Sequence, residues 1–168
     1  MKPKHIRAHM RTAANYASLS TARRLQVGAI IVKDDRIISI GYNGMPAGWD
    51  NTCEDTIFIA EDKAADYDTM TGQGYTFGVD KDTAGWVKTV TKPQVLHAEA
   101  NAIAKVARSS ESAEDSVLFV THSPCIECAK LVYQSGIRQV FWGQQYRDDQ
   151  GLQFLRQAGV TVAQVEEE

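Results

Sequence analysis

The sequence predicts an α/β domain: a mixed five-stranded sheet with helices on both faces. Three observations lead there. An almost unbroken apolar run from Val27 to Val32, a turn signal at Asp34-Asp35 and a second run from Arg36 to Tyr42 read as a hairpin. From Leu96 onward, helical and strand patterns alternate, which gives crossover connections and parallel pairing. The length of 168 residues fits one domain, and a hydrophobic share of 43% supplies a real core.

The elements follow in chain order. Residues 6 to 19 carry Ala, Met, Tyr and Leu at near-helical spacing and predict a helix. After the hairpin, Gly41-Tyr42-Asn43-Gly44-Met45-Pro46-Ala47-Gly48 holds three glycines and a proline, a loop that turns sharply or lets a ligand approach the backbone. Residues 49 to 95 are the least readable. A helix is possible around Ala60 to Met70, and Gly72, Gly74, Gly78 and Gly85 break up the remainder. The expectation is a single domain over residues 1 to 168, with an insertion at about 54 to 94 lying over it.

Order returns with an Ala-rich helix from His97 to Arg108, a polar loop, and a strand at Val117 to Thr121. Ser123 then reads as a helix cap and Pro124 as the first helical position, with the helix ending at Gly136. A strand at Gln139 to Trp142, a helix at Asp149 to Ala158 ending at Gly159, and a strand at Val160 to Val165 complete the chain. The acidic tail Glu166 to Glu168 is expected to fray.

No apolar run approaches the ~18 residues that span a bilayer. The basic stretch Met1 to Met10 contains no apolar core of a secretory signal. The expectation is a soluble, cytoplasmic protein without a membrane or nucleic-acid partner. The net charge is −3, and the basic clusters (Lys2, Lys4, His5, Arg7 and Arg11, then Arg23 and Arg24) are short. They suit a small anion better than a polymer. Three cysteines, Cys53, Cys125 and Cys128, are an odd number and argue against a disulfide framework.

Two short strings carry the chemistry. His97-Ala98-Glu99 opens one helix, and Pro124-Cys125-Ile126-Glu127-Cys128 opens the next, one helix-loop-strand unit later. In a crossover topology both helix N-termini lie at one edge of the sheet, so the strings converge. The i, i+3 spacing of Cys125 and Cys128 puts both sulfurs on one helix face. The helix N-terminus favours their thiolates. A structural zinc site takes four protein ligands, but only His97 joins the two cysteines convincingly. Three ligands leave the open position a catalytic zinc keeps for water. Zinc brings bound water to a pKa of about 7, and Glu99 is placed to move the protons. Zinc deaminases work this way on C4 of cytosine or C6 of adenine. Alone, the Cys-x-x-Cys pair reads equally well as a redox pair; the preceding His-x-Glu favours metal.

These residues resemble the cytidine deaminase superfamily and, more narrowly, the deoxycytidylate (dCMP) deaminases. Val27-Gly28-Ala29 and Gly41-Tyr42-Asn43-Gly44-Met45-Pro46 are similar to that family's N-terminal signature. His97 to Ile103 resembles its H-A-E-L-N-A-I, with Ala100 in place of Leu, and Ser123 to Lys130 and Gln134 to Ile137 resemble its second zinc string. Tyr146 and Ala158-Gly159-Val160 fit its C-terminal part. Residues 54 to 94 lie outside the likeness.

The resemblance implies the three-layer α/β/α fold of that superfamily and hydrolysis of dCMP to dUMP for thymidylate synthesis. It implies His97, Cys125 and Cys128 as ligands of one zinc per subunit and Glu99 as proton shuttle. The Ala98 N–H would bind the pyrimidine carbonyl. Asn43 would touch sugar or base, its plainer reading being a turn residue. Tyr146 would lie near the nucleotide, its plainer reading being a core or surface aromatic. Arg24 and Arg147 are candidates for the substrate phosphate. The family's habits further imply a homo-hexamer activated by dCTP and inhibited by dTTP, with Mg2+ on the triphosphate. Arg23, Arg24, Gly44 and Arg108 are the candidate effector residues. Two competing readings are a nucleic-acid deaminase, which needs a basic surface and a stacking platform, and a zinc-stabilised nucleotide-binding regulator, which has no use for Glu99.

Overall fold

The computed structural model describes residues 1–80 and 83–166. The main sheet has five strands in the order β2-β1-β6-β7-β8. Its hairpin joins β1 (Gly28–Lys33) to β2 (Arg36–Tyr42), antiparallel, through Asp34 and Asp35. Both turn residues have positive φ, 50° and 58°, the conformation that two-residue hairpin turns demand and aspartate tolerates. β1 also pairs antiparallel with β6 (Val117–His122). β6, β7 (Gln139–Gln144) and β8 (Thr161–Gln164) run parallel. The sheet is therefore mixed, as the sequence predicts.

Helix α4 (Ile126–Gln134) connects β6 to β7, and α5 (Gln150–Gln157) connects β7 to β8. Both crossovers step in one direction along the sheet, so the right-handed rule puts both helices on one face. α3 (Ala98–Ala107) joins them there. The core of that face comprises Ala98, Ala102, Ala129, Val132, Leu152 and Leu155 over Ile31, Leu118 and Val140. α1 (Pro3–Ala17) covers the other face, with Ala13 against Ile30, Val32, Phe119 and Phe141. The three layers are present.

Two expectations need correction. The helix after β6 begins later than Ser123-Pro124 suggests: Cys125 is its N-cap and Ile126 its first residue. The proline biases Ser123 to an extended backbone, and the serine hydroxyl instead accepts the Tyr146 N–H at 2.8 Å. The second correction concerns residues 54 to 91, where only a helix was legible. They form a second, antiparallel sheet in the order β3-β5-β4, from β3 (Glu54–Ala60), β4 (Thr76–Asp80) and β5 (Thr83–Thr91). A short 3-10 turn, Glu61–Lys63, and α2 (Tyr67–Gly72) link β3 to β4. Gly85 looks like a breaker in sequence, yet it is a strand residue crossed by the Phe58 ring. A Cβ there would meet Phe58 Cζ at 2.6 Å. The sheet closes on Trp86, 5% exposed, which takes edge contacts from Tyr67 and Phe77 at 5.3 and 5.4 Å. Of the acidic tail, Glu167 and Glu168 lie outside the described residues. No helix among the described residues is long and apolar enough to cross a membrane.

Candidate active site

The two strings meet as their spacing requires. His97 is the N-cap of α3 and Cys125 the N-cap of α4. α3 is tied to the main sheet by three side chains. Ser39 Oγ donates to Ala102 O, Asn101 Nδ2 to Tyr42 O, and Lys105 Nζ to Ile40 O, at 2.7, 2.9 and 3.0 Å. A two-way backbone bridge between Gly44 and Leu96 fixes the approach to His97. The second string is held from behind by α5. Gly151 lies so close that a Cβ would stand 2.0 Å from Pro124 O, so only glycine fits.

His97 Nδ1 lies 3.5 Å from Cys125 Sγ and 3.4 Å from Cys128 Sγ. The three donor atoms all lie within 4.8 Å of one another. Tetrahedral zinc with Zn–S of about 2.3 Å and Zn–N of about 2.0–2.1 Å places N and S about 3.6 Å apart. The observed separations fit that ion. The donor set of one imidazole and two sulfurs is of the kind zinc prefers, and it leaves a fourth position.

Glu99 lies one residue into α3, 4% exposed. Burial pushes its carboxyl up to about 7, a shift that the neighbouring His97 partly opposes. The Cys125 thiol is pushed down to about 3, chiefly by its hydrogen bond with Cys128 and also by the one with His97. Cys128 is pushed up, first by that same contact with Cys125 and then by burial. Metal ligation takes both sulfurs as thiolates, and a divalent cation would supply the charge that stabilises them together. The hydrogen bond to Cys125 raises the His97 imidazole against the opposing effect of burial.

All of this opens into a cavity of about 250 Å³, at the small end for small-molecule sites. His97, Ala98, Glu99 and Cys125 line one side, and Tyr146 and Arg147 line it from the β7–α5 loop. The Arg147 guanidinium lies 5.2 Å from the centre of the Tyr146 ring. Ala22, Arg24, Leu25, Glu54, Thr91 and Val95 complete the wall.

Asn43 also lines the cavity, but its side chain is engaged: Oδ1 accepts the Val27 N–H and Nδ2 donates to Leu25 O, both at 2.8 Å. Each atom retains capacity for one further hydrogen bond. With the Ser20 Oγ bond to Asn43 O at 2.7 Å, these ties hold residues 20–27 against the glycine loop. Arg23 and Arg24 lie on this tied loop and Gly44 follows Asn43 in the glycine loop; of the three, Arg24 lines the cavity. Arg108 does not join them: it is the C-cap of α3, about 16 Å along the helix from His97. Sequence reasoning missed Glu54, Thr91 and Val95 in the unread segment, and His122 and Ser123 beside the second string. Glu54 carried no signal beyond being an acidic residue next to the lone Cys53.

The model of the cytidine and deoxycytidylate deaminase zinc-binding region matches residues 3–144. The chain belongs to this family. It is 36% identical over 152 residues to the deoxycytidylate deaminase of Enterobacteria phage T4, covering 83% of this chain and 79% of that one. It is 34% identical over 148 residues to ComE operon protein 2 of Bacillus subtilis, spanning 88% of this chain but only 64% of that protein. The crystal structure of the dCMP deaminase from cyanophage S-TIM5 in complex with dCMP and dUMP superposes with a TM-score of 0.75 at 37% identity, covering 98% of this chain and 99% of that one. The matched residues include both strings of this chain, which stand at the N-termini of α3 and α4.

Proposed function

We propose that the protein hydrolyses dCMP to dUMP and ammonia, with one zinc per subunit held by His97, Cys125 and Cys128. The observation that carries this reading is a three-donor cluster of zinc dimensions beside a buried carboxylate, in a cavity also lined by two arginines. The likeness to the phage T4 and S-TIM5 enzymes supports the choice of dCMP.

Zinc, when bound, activates water for attack on C4 of cytosine. Glu99 takes a proton from the attacking water and delivers it to ring N3. It then passes the second proton to the exocyclic amine, which leaves as ammonia. Its raised pKa suits a group that must both accept and donate near neutrality. The Ala98 N–H, an unpaired donor in the first turn of α3, points its charge at the base carbonyl. Asn43 holds the 25–27 segment and offers its remaining hydrogen bond to sugar or base. Tyr146 flanks the nucleotide, and Arg24 and Arg147 receive the phosphate.

The reading extends to a homo-hexamer activated by dCTP and inhibited by dTTP, each with Mg2+. Two adjacent arginines, Arg23 and Arg24, on the loop tied to the glycine turn support it. Arg108 would reach such a site only from another subunit. The test is loss of cytosine absorbance when zinc-loaded protein meets dCMP, with and without the triphosphates and magnesium. Conversion that responds to them is expected. Conversion without response removes the effector site. No conversion of dCMP, with turnover of cytidine or single-stranded DNA instead, overturns the substrate.

A further inference from the structure

Glu54 is a buried carboxylate in the cavity that the chemistry above does not use. It opens β3 and is 7% exposed. Its Oε1 accepts the main-chain N–H groups of Arg23 and Arg24, at 3.0 and 3.4 Å. These two bonds pin the loop that carries Arg24 to the root of the small sheet. Across that sheet Glu54 pairs with Thr91, whose hydroxyl receives Arg24 Nη1 at 3.2 Å. Oε2 is different. No donor among the described residues reaches it, yet the only sealed, unpaired side-chain nitrogen or oxygen there is Trp142 Nε1. Oε2 is therefore open, and the space beside Glu54 is the cavity.

A carboxylate oxygen accepts hydrogen bonds and repels anions. Among the parts of a deoxycytidine nucleotide only two carry donors. One is the exocyclic amine, which belongs at Glu99. The other is the 3′-hydroxyl of the sugar. We propose that Glu54 Oε2 accepts the hydrogen bond of the substrate's 3′-hydroxyl, and so makes a free 3′-hydroxyl a condition of good binding. This inference rests on the dCMP reading. It also gives a physical reason for a mononucleotide substrate. An esterified 3′-oxygen has no proton to donate, and the next phosphate of a polynucleotide would face the carboxylate.

The test compares kcat/KM for dCMP and for 2′,3′-dideoxycytidine 5′-monophosphate, in the wild type and in Glu54→Gln. Glutamine keeps Oε1 for the loop and replaces the open oxygen with a donor. The wild type should prefer dCMP by about 10- to 100-fold, the range of a charge-assisted hydrogen bond. Glu54→Gln should lose several-fold on dCMP, since the amide N–H offers the 3′-oxygen only a neutral hydrogen bond in place of a charge-assisted one, and less than about twofold on the dideoxy analogue. Equal losses on both would overturn the inference and leave Glu54 as a loop anchor alone. A wild type that turns over both equally would overturn it with no variant needed, even if Glu54→Gln fails to fold. A wild type inactive on dCMP and active on another cytosine compound overturns the substrate reading, and this inference falls with it.

Discussion

The cavity has two walls of different construction. One is built from the N-termini of α3 and α4, set on a core in which Ala98, Ala102, Ala129 and Val132 are fully buried and backed by a glycine that admits no side chain. The other is built from the 22–25 loop, Glu54, Thr91 and Val95, at the root of a small sheet. That sheet rests on Trp86 and Met70 and leaves Phe77, Val79 and Tyr67 half or more exposed. Bond making needs donor atoms fixed to tenths of an ångström, and the first wall supplies that rigidity. Recognition of sugar and phosphate tolerates more, and the second wall, with little core of its own, suits that part in the proposed reaction.

Substitutions should separate the two walls. Cys128→Ser removes the buried sulfur of the proposed zinc site; zinc content should fall well below one per subunit, with turnover down on the order of 10³-fold or more. Metal analysis alongside the rate checks this, and a chelator followed by zinc should repeat the loss and restore activity in the wild type. Gly151→Val forces a side chain against Pro124 and should cost about 1–3 kcal/mol of stability. It should also weaken zinc retention, as denaturation with and without metal would show. On the second wall, Arg24→Ala should raise KM for dCMP about tenfold with kcat and zinc nearly unchanged. Trp86→Ala should destabilise the small sheet by about 3 kcal/mol and raise KM only a few-fold. If Trp86→Ala stripped zinc as well, the walls would not be independent.

The same contrast decides what was legible in the sequence. Zinc chemistry demands a histidine, a carboxylate and two cysteines at fixed spacings on helix ends, so His97, Glu99, Cys125 and Cys128 stand out unaided. The hairpin and the alternating second half were legible because their strands are buried, β1 through five successive residues. The small sheet was not. β3 has no buried residue after Glu54, so no apolar alternation marks it. Gly85, a breaker by composition, is a place where one strand's aromatic ring covers another's backbone. Glu54 is hidden for a related reason: its importance lies in two main-chain N–H groups some thirty residues earlier, which no local pattern records. The start of α4 was misplaced because Ser123 caps nothing and serves the Tyr146 backbone instead.

The central claim is a division of labour: three side chains hold the metal and a fourth, Glu99, moves protons without holding it. The direct measurement is zinc content and dCMP turnover of the wild type and Glu99→Ala, side by side. The account predicts about one zinc per subunit in both, with turnover lower in the variant by on the order of 10²- to 10⁴-fold. A Glu99→Ala protein that keeps most of its activity, or that loses its zinc, would contradict it.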